Sequence, residues 1–164
     1  MSTIRTLHHS IDIHASPETV YRRWRALTDF PELMDGVNSV SSFCEGMERT
    51  AWTVQVGQHT VAFHAQIVEE IPGQRIAWKS VRGPSHAGVA TFHRISDSKS
   101  RMIVEMDYEV GGWLELLGDA LGVPSRFVER NLELFKASVE DEARPPLNAL
   151  QKAQPTPPMT GAWA

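Results

Sequence analysis

Ile11-Asp12-Ile13-His14-Ala15-Ser16-Pro17-Glu18-Thr19-Val20 is the stretch on which the reading of this chain turns. Its first half completes an alternation that begins at Ile4. Leu7, His9, Ile11 and Ile13 take one side, and His8, Ser10, Asp12 and His14 the other, which is the period of a half-buried strand. Its second half is a helix start. Ser16 offers an N-cap hydroxyl, Pro17 suits the first helical position, and Glu18 places a carboxylate at the positive end of the helix dipole. The helix so predicted runs to about Leu27, with Val20, Tyr21, Trp24 and Leu27 on one face. Thr28-Asp29-Phe30-Pro31 reads as a second start, for a short helix through Met34 that Gly36 ends.

Beyond Gly36 the period changes to two. Val37 to Cys44 is the weakest strand. Arg49 to Val56 places Trp52, Val54 and Val56 at alternate positions. Val61, Phe63, Ala65 and Ile67 repeat the pattern after a Gly57-Gln58-His59 turn, and Ile76, Trp78 and Ser80 follow Pro72-Gly73. A strand from about Gly88 to Ile95 comes next, then Met102, Val104, Met106 and Tyr108 alternating with Ile103, Glu105, Asp107 and Glu109. Short turns between seven strands predict an antiparallel meander. Gly111-Gly112 is read as closing the last strand, with a short helix from Trp113 to Ala120. Pro124 opens the longest helix, to about Glu142. Its apolar arc contains Leu134, Phe127, Ser138, Asn131, Phe135, Val128, Val139 and Leu132, so Asn131 and Ser138 lie inside it.

Composition narrows the class. At 164 residues, with 41% hydrophobic residues, the chain fits one domain with a substantial core. No apolar run approaches the ~18 residues of a transmembrane helix, and the start Met1-Ser2-Thr3-Ile4-Arg5 lacks the apolar segment of a signal peptide; a cytoplasmic location is the expectation. The single cysteine, Cys44, makes no internal disulfide. A net charge of −4 argues against nucleic acid as a partner, and Arg22, Arg23 and Arg25 read as a solvated helix face. Five of the ten prolines fall in the last stretch, so residues 1–142 are expected to form the domain and 143–164 a Pro-rich flexible tail.

This order of elements, carried by Ile11–Val20, by Arg75-Ile76-Ala77-Trp78-Lys79-Ser80 and by Leu132-Glu133-Leu134-Phe135-Lys136, resembles the START/SRPBCC superfamily. Within it, the polyketide cyclase/dehydrase branch, with its coenzyme Q-binding relatives, is the most similar. The resemblance spans about Ile4 to Glu142. It implies an α+β helix-grip fold in which a seven-stranded twisted antiparallel sheet grips the C-terminal helix, two short helices follow the first strand, and a cavity lies between sheet and helix. A hydrophobic small molecule (polyketide, quinone or lipid) is the implied partner, with no cofactor. A homodimer through sheet edges or helix faces is compatible with the layout. Many aromatase/cyclases carry Trp-x-Ser-x-Arg with the arginine entering the pocket. Here the corresponding strand reads Phe63-His64-Ala65-Gln66-Ile67, which moves weight from polyketide cyclization toward binding or another reaction.

No metal motif emerges from the seven histidines: none forms a His-x-Glu or His-Glu-x-x-His pattern. Cys44 sits in no nucleophile motif, and no Gly-x-Ser-x-Gly is present. The candidates left are those that would line a cavity. Met34, Trp52, Phe63, Trp78, Phe92, Met106, Phe127 and Phe135 are the expected ligand-binding set; each taken alone is equally the material of a filled core. Tyr108, Asn131 and Ser80 are the polar residues among them and the expected catalytic ones. A buried Asn needs partners, either a ligand or the backbone. Under a cyclase reading Tyr108 and Asn131 polarise a carbonyl and Ser80 or a water relays the proton. Three functions remain open on these residues: a small-molecule-binding protein with polyketide cyclase/dehydratase activity, a lipid or quinone carrier without catalysis, and a protein-interaction module.

Overall fold

The computed structural model describes residues 3–43, 48–117 and 123–143. Seven strands, β1 (Ile4–Ile13), β2 (Val37–Phe43), β3 (Arg49–Val56), β4 (His59–Ile71), β5 (Arg75–Arg82), β6 (His86–Ser96) and β7 (Lys99–Glu109), form one sheet in the order β1-β7-β6-β5-β4-β3-β2. Every neighbouring pair is antiparallel. After β1 come α1 (Pro17–Arg25), a 3-10 turn (Leu27–Asp29) and α2 (Phe30–Leu33). After β7 come α3 (Val110–Leu117) and α4 (Val123–Ala143). The meander and the helix-grip layout expected from the sequence are the ones observed. Cys44 and the tail beyond residue 143 lie outside the described residues.

The α1 cap forms as its residue types dictate. Ser16 is extended (φ −65°, ψ 153°), its Oγ accepts from the Thr19 N–H at 3.3 Å, and Pro17 occupies the first turn. Val20 and Trp24 point into the core while Glu18 pairs with Arg94 at the far end of β6. Between α2 and β2 the chain reverses at Gly36. Its φ is +79°, and a Cβ there would stand 2.7 Å from the Gln55 carbonyl oxygen and 2.8 Å from Phe127 Cε2, so no other residue fits.

The core is built where α4 lies along β1. Phe135 and Val139 are fully buried, with Ile13, Val20 and Met102 beneath them. The cavity described below lies on the β3–β5 side of the sheet, away from the β1 edge that α4 packs against. Two boundaries differ from the sequence reading. Gly111-Gly112 does not close β7; both glycines lie within α3, which begins at Val110 and brings the buried Trp113 inward. β6 begins at His86, two residues before Gly88, because the cross-strand ladder continues to His86 opposite Tyr108.

Candidate functional site

A cavity of ≈ 170 Å³ lies between β3–β5, α1, α2 and the first half of α4. The sheet contributes Trp52, Val54 and Val56 from β3, Phe63, Ala65, Gln66 and Ile67 from β4, Ile76 and Trp78 from β5, and Met106 from β7. The helical side contributes Trp24, Leu27, Phe30, Met34, Trp113, Pro124, Phe127, Val128, Asn131 and Leu132. Thr50, His86 and Val37 complete the wall. A cavity of about 150 Å³ accommodates a benzene ring. The space therefore suits one ring with a substituent, and anything longer must run outward. A second depression, formed by Asp35, Gly36, Gln55, Gly57, Arg126 and Arg130, adjoins it across Phe127.

The rings make a connected wall. Trp24 meets Phe30 (centroids 5.1 Å apart), Phe30 meets Trp52 edge-on (5.7 Å), and Trp52 stacks on its cross-strand partner Phe63 (5.7 Å, 12°). Phe63 then contacts His86 edge-on at 4.7 Å, His86 faces Trp113 at 6.0 Å, and Trp113 meets Tyr108 at 6.4 Å. Trp78 lies over Gly88, its strand partner, where an added Cβ would sit only 2.3 Å from Trp78 Cζ2. The absent side chain at Gly88 is what lets the indole lie flat against the sheet and leaves the cavity open.

His86 is the one titratable side chain on this wall among the described residues. It is buried, its backbone N–H donates to Ser80 Oγ at 3.0 Å, and its Nδ1 is 3.1 Å from the Pro84 carbonyl oxygen. A carbonyl only accepts, so Nδ1 carries the proton there and Nε2 keeps the lone pair. Burial lowers the imidazole pKa below its ordinary value of 6.5, against a smaller opposing effect of the Pro84 hydrogen bond. The ring is neutral at pH 7.

The expected site residues separate into three groups. Met34, Trp52, Phe63, Trp78, Met106 and Phe127 line the cavity. Phe92 and Phe135 do not: both are buried core, Phe92 on β6 beneath α1 against Tyr21 (5.8 Å) and Phe135 on α4 against Trp24 of α1 (5.2 Å). The polar three also part company. Ser80 on β5 and Tyr108 on β7 adjoin His86, but neither lines the cavity: Ser80 Oγ accepts from the His86 backbone N–H, and Tyr108 is buried behind the wall. Asn131 reaches the cavity, but its Oδ1 accepts from the Asp35 N–H at 2.8 Å and its Nδ2 donates to the Asp35 carbonyl at 2.9 Å. The amide therefore clamps the α2–β2 turn, which the Arg130–Asp35 pair holds from outside at 2.8 Å. His86, Trp113, Trp24 and Gln66 are site residues the sequence reading missed. Extending the β6 alternation back from Gly88 would have placed His86 on the inner face with Ala90 and Phe92.

The comparisons follow this geometry. The family described as "Polyketide cyclase / dehydrase and lipid transport" matches residues 13–136. The chain belongs to that family. Among its relatives is an uncharacterized 17.2 kDa protein of Streptomyces lincolnensis, 32% identical over 139 residues, covering 84% of this chain and 91% of that one. Among solved structures, a protein of Deinococcus radiodurans is 26% identical with a TM-score of 0.63, over 84% of this chain and 99% of the other. The Zhui aromatase/cyclase of a Streptomyces species superposes with a TM-score of 0.72 at 16% identity, over 87% and 97% of the two chains; that likeness is one of fold. As a polyketide cyclase/dehydrase family member the chain has a ligand-binding fold. Ile67, which ends the Phe63–Ile67 stretch, lies on the cavity wall. No described helix is long and apolar enough to cross a membrane, and no cluster of metal-ligating side chains occurs among the described residues.

Proposed function

We propose that the cavity binds a ring-bearing hydrophobic molecule and promotes a polyketide-type aldol closure and dehydration, with His86 as the proton carrier. The observation that carries this reading is a neutral imidazole as the one titratable group on a largely aromatic and aliphatic wall, whose other polar members are Thr50, Gln66 and Asn131. A methylene between two carbonyls is acidic enough for such a base. His86 Nε2 takes the methylene proton, the resulting enolate carbon attacks a second carbonyl held against the wall, and the imidazolium returns the proton to the new alkoxide. Loss of a further α-proton and of the hydroxyl as water then gives the conjugated ring. The wall contributes by folding the chain so that the two carbons meet. Ser80, by holding the His86 backbone, and Tyr108, from the facing strand, act as positioning residues; Asn131 fixes the mouth.

Turnover of a soluble poly-β-ketone surrogate by the wild type and by His86→Gln tests the assignment. General-base loss predicts a rate lower by about a hundredfold or more with affinity held within a few-fold. Binding without turnover in the wild type refutes catalysis and leaves a lipid or quinone carrier.

A further inference from the structure

We propose that the ligand leaves the cavity past Phe127 and carries a carboxylate that ends on Arg126. The inference rests on the cavity being the binding site, and it adds where the cavity opens and what the ligand's outer end must be. Phe127, half-buried near the start of α4, borders both the cavity and the depression outside it. The two spaces thus share one phenyl ring as their border. Trp24, Phe30, Trp52, Phe63, Trp78 and Trp113 each pack against another aromatic ring, whereas Phe127 has no such partner among the described residues. Its frame is fixed. The Asp35–Gly36 turn is tied to α4 by the two Asn131 hydrogen bonds (2.8 and 2.9 Å) and by the Arg130–Asp35 pair. Gly36, where a Cβ would stand 2.8 Å from Phe127 Cε2, leaves the ring its room. A half-buried ring without stacking partners, in a fixed frame, is the part of the wall that can turn aside.

The depression beyond that ring holds three charged side chains, Asp35, Arg126 and Arg130. Arg130 Nε stands 2.8 Å from Asp35 Oδ2, so those two charges cancel. Arg126 is exposed and has no carboxylate within ion-pair distance among the described residues. One uncompensated guanidinium therefore remains at the doorway of a chain whose net charge is −4. Its planar fork matches a carboxylate through two parallel N–H···O bonds. A phosphate monoester brings nearly two charges, and the excess would face the Asp35 carboxylate. An ammonium would meet Arg126 as a like charge, and a neutral end gains little from it. The cavity wall itself offers no cation at pH 7, so a carboxylate is rejected there. The ring goes in and the acid stays outside.

Phenylacetate, phenylbutyrate and phenylhexanoate, each beside its primary amide, isolate the interaction, because acid and amide share a shape and differ in charge. Each is titrated into the full chain at low salt and followed by NMR, whose line shapes also give the exchange rates. Phenylacetate should bind more weakly than its amide, its carboxylate being too near the ring to clear the wall. With the longer chains the order is expected to reverse, the acid binding about fivefold more tightly than the amide. Arg126→Gln should abolish that advantage without moving the amides, and Arg126→Lys should keep most of it. Phe127→Ala should speed both association and dissociation of the amides by about tenfold. An acid advantage that is missing at every length, or that survives Arg126→Gln, overturns the carboxylate site and leaves the cavity reading standing. Exchange rates in Phe127→Ala equal to the wild type overturn the doorway. Failure of every amide to bind overturns the cavity reading and the proposal with it. The acid–amide comparison in the wild type and in Arg126→Gln, at an exposed position, decides even if Phe127→Ala does not fold.

Discussion

Replacing Asn131 with Ala separates two roles that an amide at this position can play. In the structure both of its polar atoms are spent on Asp35, at 2.8 and 2.9 Å, and the side chain is 4% exposed. Ala removes both hydrogen bonds and leaves the Asp35 N–H and carbonyl to find other partners. Each bond contributes roughly 0.5–1.5 kcal/mol, so the loss is about 2 kcal/mol. For a chain of this length that corresponds to roughly 4–8 °C of melting temperature. Asn131→Asp should cost at least as much, since a carboxylate keeps the acceptor for the Asp35 N–H but turns lone pairs toward the Asp35 carbonyl. Thermal denaturation by circular dichroism measures both variants, and calorimetric titration with the ligand measures affinity. If Asn131→Ala melts within about 1 °C of the wild type while ligand affinity collapses, the amide serves the ligand and the clamp is not its task.

Four further outcomes follow from the same geometry. Gly88→Ala sets a Cβ 2.3–2.9 Å from three ring atoms of Trp78, Cε2 included, so the whole indole must shift from the sheet; calorimetry should show ligand affinity down by roughly tenfold. Phe135→Ala empties a fully buried site and should lower stability by about 3–5 kcal/mol in chemical denaturation. Phe127→Ala, at a half-buried wall residue, should cost less stability and more affinity, and the reverse order would mean the α4 faces are misassigned. His86 has a folded-state pKa below 6.5, so the unfolded chain takes up the proton first as pH falls. Its contribution to stability is complete above that value and is lost below it. The melting-temperature advantage of the wild type over His86→Gln should therefore shrink from about pH 7.5 to about pH 5.5; an advantage that grows on acidification would reverse the sign assigned to the burial.

Much of the architecture was legible because it is written in local chemistry. The Ser16-Pro17-Glu18 start and the period-two strands are properties of consecutive residues, and they placed β1, α1 and β3 nearly to the residue. The site was less legible, for two physical reasons. Whether an inward aromatic lines a gap or fills one depends on how far the helix stands from the sheet, and nothing at Phe92 or Phe135 distinguishes them from Phe63 along the sequence. Polar roles depend on partners distant in the chain: Asn131 answers Asp35, and His86 answers Pro84 and Ser80. Trp113 was obscured by Gly111-Gly112, a pair that ordinarily punctuates a strand and here opens a helix.

Four of the five tryptophans, Trp24, Trp52, Trp78 and Trp113, border the one cavity, with Trp24 and Trp78 only 6.3 Å apart. At that spacing an absorbed ultraviolet photon is shared among the indoles before it is emitted, so a single absorbing occupant darkens them together. The chain is in effect its own dosimeter for whatever enters the cavity. A quinone or a conjugated polyketide would extinguish the emission as it enters, while a saturated lipid would leave it bright and shift its colour. With Trp163→Phe removing the remaining tryptophan, the colour and intensity of the protein's own light would report the chemical class of the cavity's occupant.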